Sequence, residues 1–178
     1  RHGHGVAYFD NGQIAYEGEW EAGLPGGRSL LFHGEVGGTV GTGHFGLQEG
    51  DNYVTQYYND TGRIQYHGGW KEGQPEGHGT YYHCKTGHKE YEGQYKAGQK
   101  HGSGRTYSEN GQIAYHGDWK GGQPDGHGTY YHCKTGHKEY EGQYKAGQKH
   151  GSGRTYSENG QIAYHGDWKG GQPDGHGT

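Results

Sequence analysis

Tyr91-Glu92-Gly93-Gln94-Tyr95-Lys96-Ala97-Gly98-Gln99-Lys100-His101-Gly102-Ser103-Gly104 is the stretch on which the fold turns. It opens on aromatic-x-Gly-x-aromatic and closes on Gly-x-Gly. Side chains of an extended chain alternate between two faces, so Tyr91, Gly93 and Tyr95 share one face. The glycine leaves a gap between two rings where a neighbouring ring or backbone can approach. The same anchor recurs as Tyr16-Gly18-Trp20, Tyr66-Gly68-Trp70, Tyr115-Gly117-Trp119, Tyr140-Gly142-Tyr144 and Tyr164-Gly166-Trp168. A degenerate copy, Gly41-Gly43-Phe45, fills the gap in register. Seven copies thus begin at residues 16, 41, 66, 91, 115, 140 and 164, a period of 24 or 25 residues. Residues 77–125 and 126–174 are identical over 49 positions, which sets a super-period.

Turn chemistry lies between the anchors. Asn11-Gly12, Asn110-Gly111 and Asn159-Gly160 are hairpin signals, because Asn and Gly tolerate positive φ. Other copies use Lys85-Thr86-Gly87 and Lys134-Thr135-Gly136, one residue longer, which accounts for the alternation of period. Each repeat reads as strand, tight turn, strand, loop. Around Tyr115, residues 105–108 form one short strand and residues 109–112 turn. Residues 113–119 form the second strand, with Ile113, Tyr115, Gly117 and Trp119 on one face and Ala114, His116 and Asp118 on the other. Residues 120–124 are expected to loop to the next hairpin. One hairpin is marginal in water, but stacked hairpins bury a continuous aromatic stripe whose stability comes from neighbour interfaces. The expectation is an all-β, elongated stack of β-hairpins, a solenoid or meander. Seven two-stranded repeats at about 4.8 Å per strand would span roughly 65–70 Å.

These anchors resemble MORN repeats, whose pattern is Tyr-x-Gly-x-Trp/Tyr-x-x-Gly-x-x-x-Gly-x-Gly. Residues 91–104 match every fixed position. The run Tyr107-Ser108-Glu109-Asn110-Gly111-Gln112-Ile113 is similar to the variant repeat of YwqK-like bacterial proteins. Residues 24–55 depart from the pattern: Leu30, Leu31 and Phe32 replace the usual Thr-Tyr-Tyr, and Gly41 replaces Tyr. The resemblance implies an elongated hairpin stack that serves as scaffold, dimerisation module or attachment segment, with no catalytic activity. For some relatives it also implies lipid head-group binding or an antitoxin-like role.

Composition agrees with an aromatic rather than aliphatic core. The chain has 178 residues, of which 42 are Gly, 18 Tyr, 4 Trp and none Met. Without its glycines only 26% is apolar, against roughly 45–50%, a tally that includes Gly, in an average soluble domain. Disordered chains are poor in aromatics, so the glycine content signals close packing. Lys plus Arg is 16 and Asp plus Glu is 20, a net −4 with no basic block, which argues against a nucleic-acid partner. No apolar run approaches the roughly 20 residues needed to span a bilayer. The 16 histidines would carry the net charge to positive values in mild acid.

Catalysis finds no footing, because any residue set recurs along the array. Ser29, Ser103, Ser108, Ser152 and Ser157 sit in no nucleophile motif, and no helix follows the Gly-x-Gly pairs as a phosphate loop requires. Glu90 and Glu92 are expected on a solvated strand face. The candidate metal ligands are His83, Cys84 and His88, and their repeats His132, Cys133 and His137. Cross-strand neighbours lie about 4.5–5.5 Å apart, so two of them suit one Zn or Cu ion. Structural zinc wants four ligands, and the bland alternative is solvated or ring-stacked histidine. The two cysteines are expected to be free or to bridge between molecules. Asn59-Asp60-Thr61 is a sequon that matters only in a secretory setting.

Three functions stay open at this point. One is a non-enzymatic, self-associating rod or filament-forming scaffold, with residues 1–178 a single array cut from a longer one. Another is a monomeric scaffold that binds a protein or lipid. The last is a His/Cys metal-binding array. The compartment stays unknown at this point, with an extracellular or cell-surface setting favoured.

Overall fold

The computed structural model describes residues 3–8, 14–21, 24–32, 40–45, 53–58, 61, 63–175 and 177. Every regular element among them is a β-strand, and the chain divides into two compact units, residues 1–87 and 88–178. In the first unit the strands are β1 (Gly3–Tyr8), β2 (Ile14–Glu21), β3 (Leu24–Phe32), β4 (Val40–Phe45), β5 (Tyr53–Tyr57), β6 (Ile64–Lys71) and β7 (Gln74–Tyr82). They pair antiparallel in chain order. The second unit holds β8 (Lys89–Lys96), β9 (Gln99–Tyr107), β10 (Ile113–Lys120), β11 (Gln123–Tyr131), β12 (Lys138–Lys145), β13 (Gln148–Tyr156), β14 (Ile162–Lys169) and β15 (Gln172–Asp174), again paired antiparallel in chain order. The expected hairpin meander is therefore the observed one. The degenerate stretch continues it, because the backbone of β3, β4 and β5 keeps the ladder without the Tyr anchor.

Every aromatic-x-Gly-x-aromatic anchor falls on an even-numbered strand. Tyr16, Gly18 and Trp20 lie on β2, and Tyr66, Gly68 and Trp70 on β6. Gly-x-Gly anchors fall on odd strands such as β7, β9, β11 and β13. In the second unit the glycines meet in one transverse row: Gly93, Gly104, Gly117, Gly128, Gly142, Gly153 and Gly166 pair across β8 to β14. Each anchor tyrosine lies along its own strand over this row. A Cβ on Gly104 would overlap the Tyr91 hydroxyl and ring, and one on Gly128 those of Tyr115. Glycine is thus required by space, not by backbone angle.

A bulge completes the device. Register shifts follow Gly93 on β8, Gly117 on β10 and Gly142 on β12. A bulge leaves a residue outside the ladder, and the carbonyl three residues beyond each tyrosine accepts its hydroxyl. Tyr91 Oη donates to Gln94 O at 2.9 Å, Tyr115 to Asp118 O at 3.1 Å and Tyr140 to Gln143 O at 3.0 Å. A buried phenol needs such a partner.

Four expectations need correcting. Residues 120–124 are not a loop: Gly121 and Gly122, at φ 58° and 81°, make a two-residue turn between β10 and β11. Ala97-Gly98 and Ala146-Gly147 turn in the same way, at φ 49°/73° and 47°/78°. Positive φ at both positions is the type I′ geometry that matches strand twist. The Asn-Gly pairs sit instead in longer connections, where Gly111 N donates to Ser108 O and Asn110 Oδ1 accepts from Gln112 N. The short strand expected at 105–108 is the end of nine-residue β9. Ile113, expected on the same face as Tyr115 and Trp119, is 37% exposed, because a bulge at the start of β10 interrupts the alternation. Asn11-Gly12 and the sequon residues Asn59 and Asp60 lie outside the described residues.

Candidate functional site

The aromatic stripe is the most constructed surface of the second unit. Tyr91 and Tyr140 are fully buried and Trp119 is 7% exposed. Within a strand, the two rings of one anchor meet edge to face: Tyr91–Tyr95 at 5.1 Å, Tyr115–Trp119 at 5.1 Å and Tyr140–Tyr144 at 5.2 Å. Between hairpins the contact repeats as Tyr91–Trp119 at 5.5 Å, Tyr115–Tyr144 at 5.4 Å and Tyr140–Trp168 at 5.4 Å. Edge-to-face geometry sets a ring's positive rim against its partner's negative face. Tyr164 and Trp168 continue the pattern at 5.3 Å, and Gly166 stands beside the Tyr164 ring. In the first unit Tyr66 is buried and meets Trp70 at 5.6 Å.

Lysines cover the stripe. Lys100 Nζ stands 4.9 Å from the Tyr91 ring centre and 5.2 Å from that of Trp119. Lys149 repeats this over Tyr140 and Trp168, at 4.8 and 5.0 Å. Burial lowers both ammonium pKa values, opposed by Glu90 at Lys100 and Glu139 at Lys149. Burial also raises the phenols of Tyr91 and Tyr140 to about 12. The sequence reading did not single out these lysines. Their spacing of 49 residues, each nine residues after an anchor Tyr, was the available signal.

The opposite face is polar and equally periodic. Glu92, Arg105, His116, Thr129, Glu141, Arg154 and His165 are cross-strand partners in one row from β8 to β14. Glu92 is not a free solvated carboxylate: it is half-buried, with Lys89 Nζ at 2.6 Å and the Tyr107 hydroxyl donating at 2.8 Å. Glu141 repeats this with Lys138 at 2.7 Å and Tyr156 at 2.8 Å. Those two donors hold the Glu141 carboxyl below its ordinary range. Further along the face lies a groove of about 450 Å³ lined by Lys120, Asp125, His127, Lys145 and His150 among others.

The candidate metal ligands lie in the connections between strands, residues 83–88 and 132–137. His132 N donates to His137 O at 2.9 Å, which closes the 132–137 connection. His137 Nδ1 reaches Glu158 O at 2.8 Å in the next connection, and His88 Nδ1 reaches Glu109 O at 2.8 Å. Asn110 Nδ2 donates to Cys133 O at 2.9 Å. His83 O accepts from Gly87 N at 2.8 Å. Cys84 is half-buried and Cys133 exposed, both as thiols. Among the described residues, no three His, Cys, Asp or Glu side chains converge where one metal ion would sit. No helix among them is long and apolar enough to cross a membrane.

A tandem repeat of antiparallel hairpins, packed through a glycine row under tyrosines, defines the class: a β-hairpin repeat scaffold. The MORN repeat pattern matches residues 1–14, 16–28, 66–85, 91–113, 115–134, 140–162 and 164–178, more than half of the chain. The chain belongs to the MORN repeat family, whose members are typically non-catalytic. The stretch between residues 28 and 66 is unmatched, where the anchor tyrosine is missing. No curated protein matches the chain.

Proposed function

We propose that this protein is a non-enzymatic structural scaffold that associates with copies of itself. One observation carries the reading. The ring contact that joins one hairpin to the next recurs at 5.4–5.5 Å wherever Tyr91, Tyr115 and Tyr140 meet the following anchor. A contact that a chain repeats within itself is one that a second copy can offer, and such head-to-tail contacts propagate. Negative-stain imaging in mildly acidic and mildly alkaline buffer tests it. Multi-chain particles in alkali that shorten in acid, as the histidines gain charge, are the expected result. Single-chain particles in both buffers would overturn it.

A second reading, a monomeric scaffold that recruits a protein partner, is favoured by the groove beside Lys120, His127, Lys145 and His150. Its two lysines and two histidines outnumber its one carboxylate, Asp125, a balance that suits an acidic peptide segment. Lys120→Glu with Lys145→Glu would abolish capture of such a peptide and leave self-association intact.

A further inference from the structure

The polar row of the second unit has a charge order that the 49-residue duplication repeats along the sheet. Read from β8 to β13 it runs Glu92, Arg105, His116, Thr129, Glu141, Arg154. Strand spacing of about 4.8 Å makes the charge pattern recur every four strands, roughly 19 Å. Place a second copy of this row against the first, turned about a twofold axis parallel to the strands and passing between His116 and Thr129. Then β8 covers β13, β9 covers β12 and β10 covers β11. Glu92 meets Arg154 of the second copy, Arg105 meets Glu141, and His116 meets Thr129, each pair occurring twice. Sliding the second copy by one strand sets Arg105 against Arg154 in one direction and Glu92 against Glu141 in the other. Sliding by two strands sets an arginine against a histidine. The row is thus most fully self-complementary at this offset: a slide of one strand brings like charges together, and a slide of four strands restores only one kind of Glu–Arg pair, Glu92 with Arg105 or Glu141 with Arg154.

We infer that the face carried by Glu92, Arg105, His116, Thr129, Glu141 and Arg154 is a homotypic interface that pairs two copies of this chain in that offset. The inference deepens the self-association reading and rests on it. Both carboxylates are already held in place, Glu92 by Lys89 and Tyr107, Glu141 by Lys138 and Tyr156. Each ionised carboxylate has about four acceptor positions, so room remains for an incoming guanidinium. Fixed acceptors also lose little side-chain freedom on pairing. Arg105 and Arg154 are exposed, Arg105 beside the Tyr107 hydroxyl and Arg154 close enough to Glu141 to favour its ionised form. Complementary charge of this kind governs offset and salt response more than raw affinity, so the pairing is weak and sensitive to ionic strength.

Sedimentation velocity of the full chain in low salt and in high salt tests this. Three proteins are compared: the unaltered chain, Arg105→Glu/Arg154→Glu, and Glu92→Arg/Glu141→Arg. Tryptophan fluorescence confirms that each is folded. The unaltered chain is expected to pair in low salt and separate in high salt, as screening shortens the reach of the charges. Each double variant alone is expected to pair at least roughly tenfold more weakly, and an equimolar mixture of the two to pair again. If the Glu92/Glu141 variant does not fold, Arg105→Gln/Arg154→Gln replaces the mixture and is expected to fall between the unaltered chain and the Glu variant. Association that survives Arg105→Glu/Arg154→Glu unchanged would overturn the face and leave self-association standing. An unaltered chain that stays single in both salts would overturn self-association, and this interface with it.

Discussion

The indole Nε1–H of Trp119 donates to the carbonyl oxygen of Gly104, one strand away, at 3.2 Å. Trp168 does the same to Gly153 at 3.4 Å. The indole is therefore both a ring of the stripe and a cross-strand tie between one hairpin and the next. Trp119→Ala is expected to lower stability by about 3–5 kcal/mol, as truncation of a buried aromatic does. On the other face, His116→Ala should stay within about 0.5 kcal/mol. Asp118→Ala falls between, near 1 kcal/mol, because Asp118 Oδ2 accepts from His127 N at 2.9 Å. Urea unfolding of the three variants checks the order. Equal losses at Trp119 and His116 would mean that the stripe is not the core.

The two-residue turns hold alanine where glycine or asparagine is usual. Ala97 and Ala146 have φ near 48° in the left-handed region, which disfavours L-residues by roughly 1–2 kcal/mol. Asparagine tolerates it. Ala97→Asn with Ala146→Asn is expected to raise the melting temperature by several degrees. The converse change, Gly122→Ala, meets no neighbouring atom, yet its φ of 81° should make it destabilising by about 1 kcal/mol. Melting curves that leave all three unchanged would show that these turns are conformationally loose.

Acid should unfasten Glu141. Its folded pKa lies below the unfolded value, chiefly because Lys138 and Tyr156 hydrogen-bond to the ionised form. A depressed carboxyl contributes stability that is present above the unfolded pKa, about 4.3, and disappears as pH falls through the folded value. The melting-temperature gap between the unaltered chain and Glu141→Gln is expected to be present at neutral pH and to close in strong acid. A gap that persists unchanged in acid would remove the charge from the explanation.

Alkali acts on the other face, with the opposite sign. Burial raises Tyr91 and Tyr140 to about 12, and Tyr115 and Tyr144 are pushed up in the same way. A raised phenol contributes stability that is complete below its unfolded pKa of about 10 and is lost as pH rises through the folded value. Exposed tyrosines should ionise first with the sheet intact, and the stripe tyrosines only together with unfolding. Phenolate absorbance followed beside circular dichroism reads both. Ionisation of all 18 tyrosines near their ordinary value without loss of the sheet would contradict the burial.

The period, the strands and the burial of Tyr91, Tyr115 and Tyr140 were legible because spacing alone encodes them. The bulges were not. They appear in sequence only as a glycine, and their effect, freeing the carbonyl that takes the Tyr115 hydroxyl, is a matter of register between strands. The turn at Gly121-Gly122 was read as a loop because Pro124 and several polar residues surround it, while its geometry depends on two positive φ values. The Glu92–Lys89–Tyr107 cluster was missed for a similar reason. Lys89 precedes Glu92 by three residues, a helical spacing, and only the pairing of β8 with β9 brings Tyr107 to the same carboxylate.

The identity of residues 77–125 with 126–174 leaves the unfolded chain without labels. Strand β9 meets the same eight residues in β8 as it would in β12, and the tyrosine, glycine and lysine contacts that reward the two pairings are alike. Packing energy therefore cannot tell the right partner from the copy. The choice falls to chain connectivity: the Ala97-Gly98 turn delivers β8 at once, whereas β12 requires closing a longer loop, whose entropic cost grows only slowly with length. Refolding in dilute solution should select the near partner, and refolding at high protein concentration should exchange hairpins between molecules. The same redundancy that lets the array grow by duplication makes its folding sensitive to crowding by its own kind.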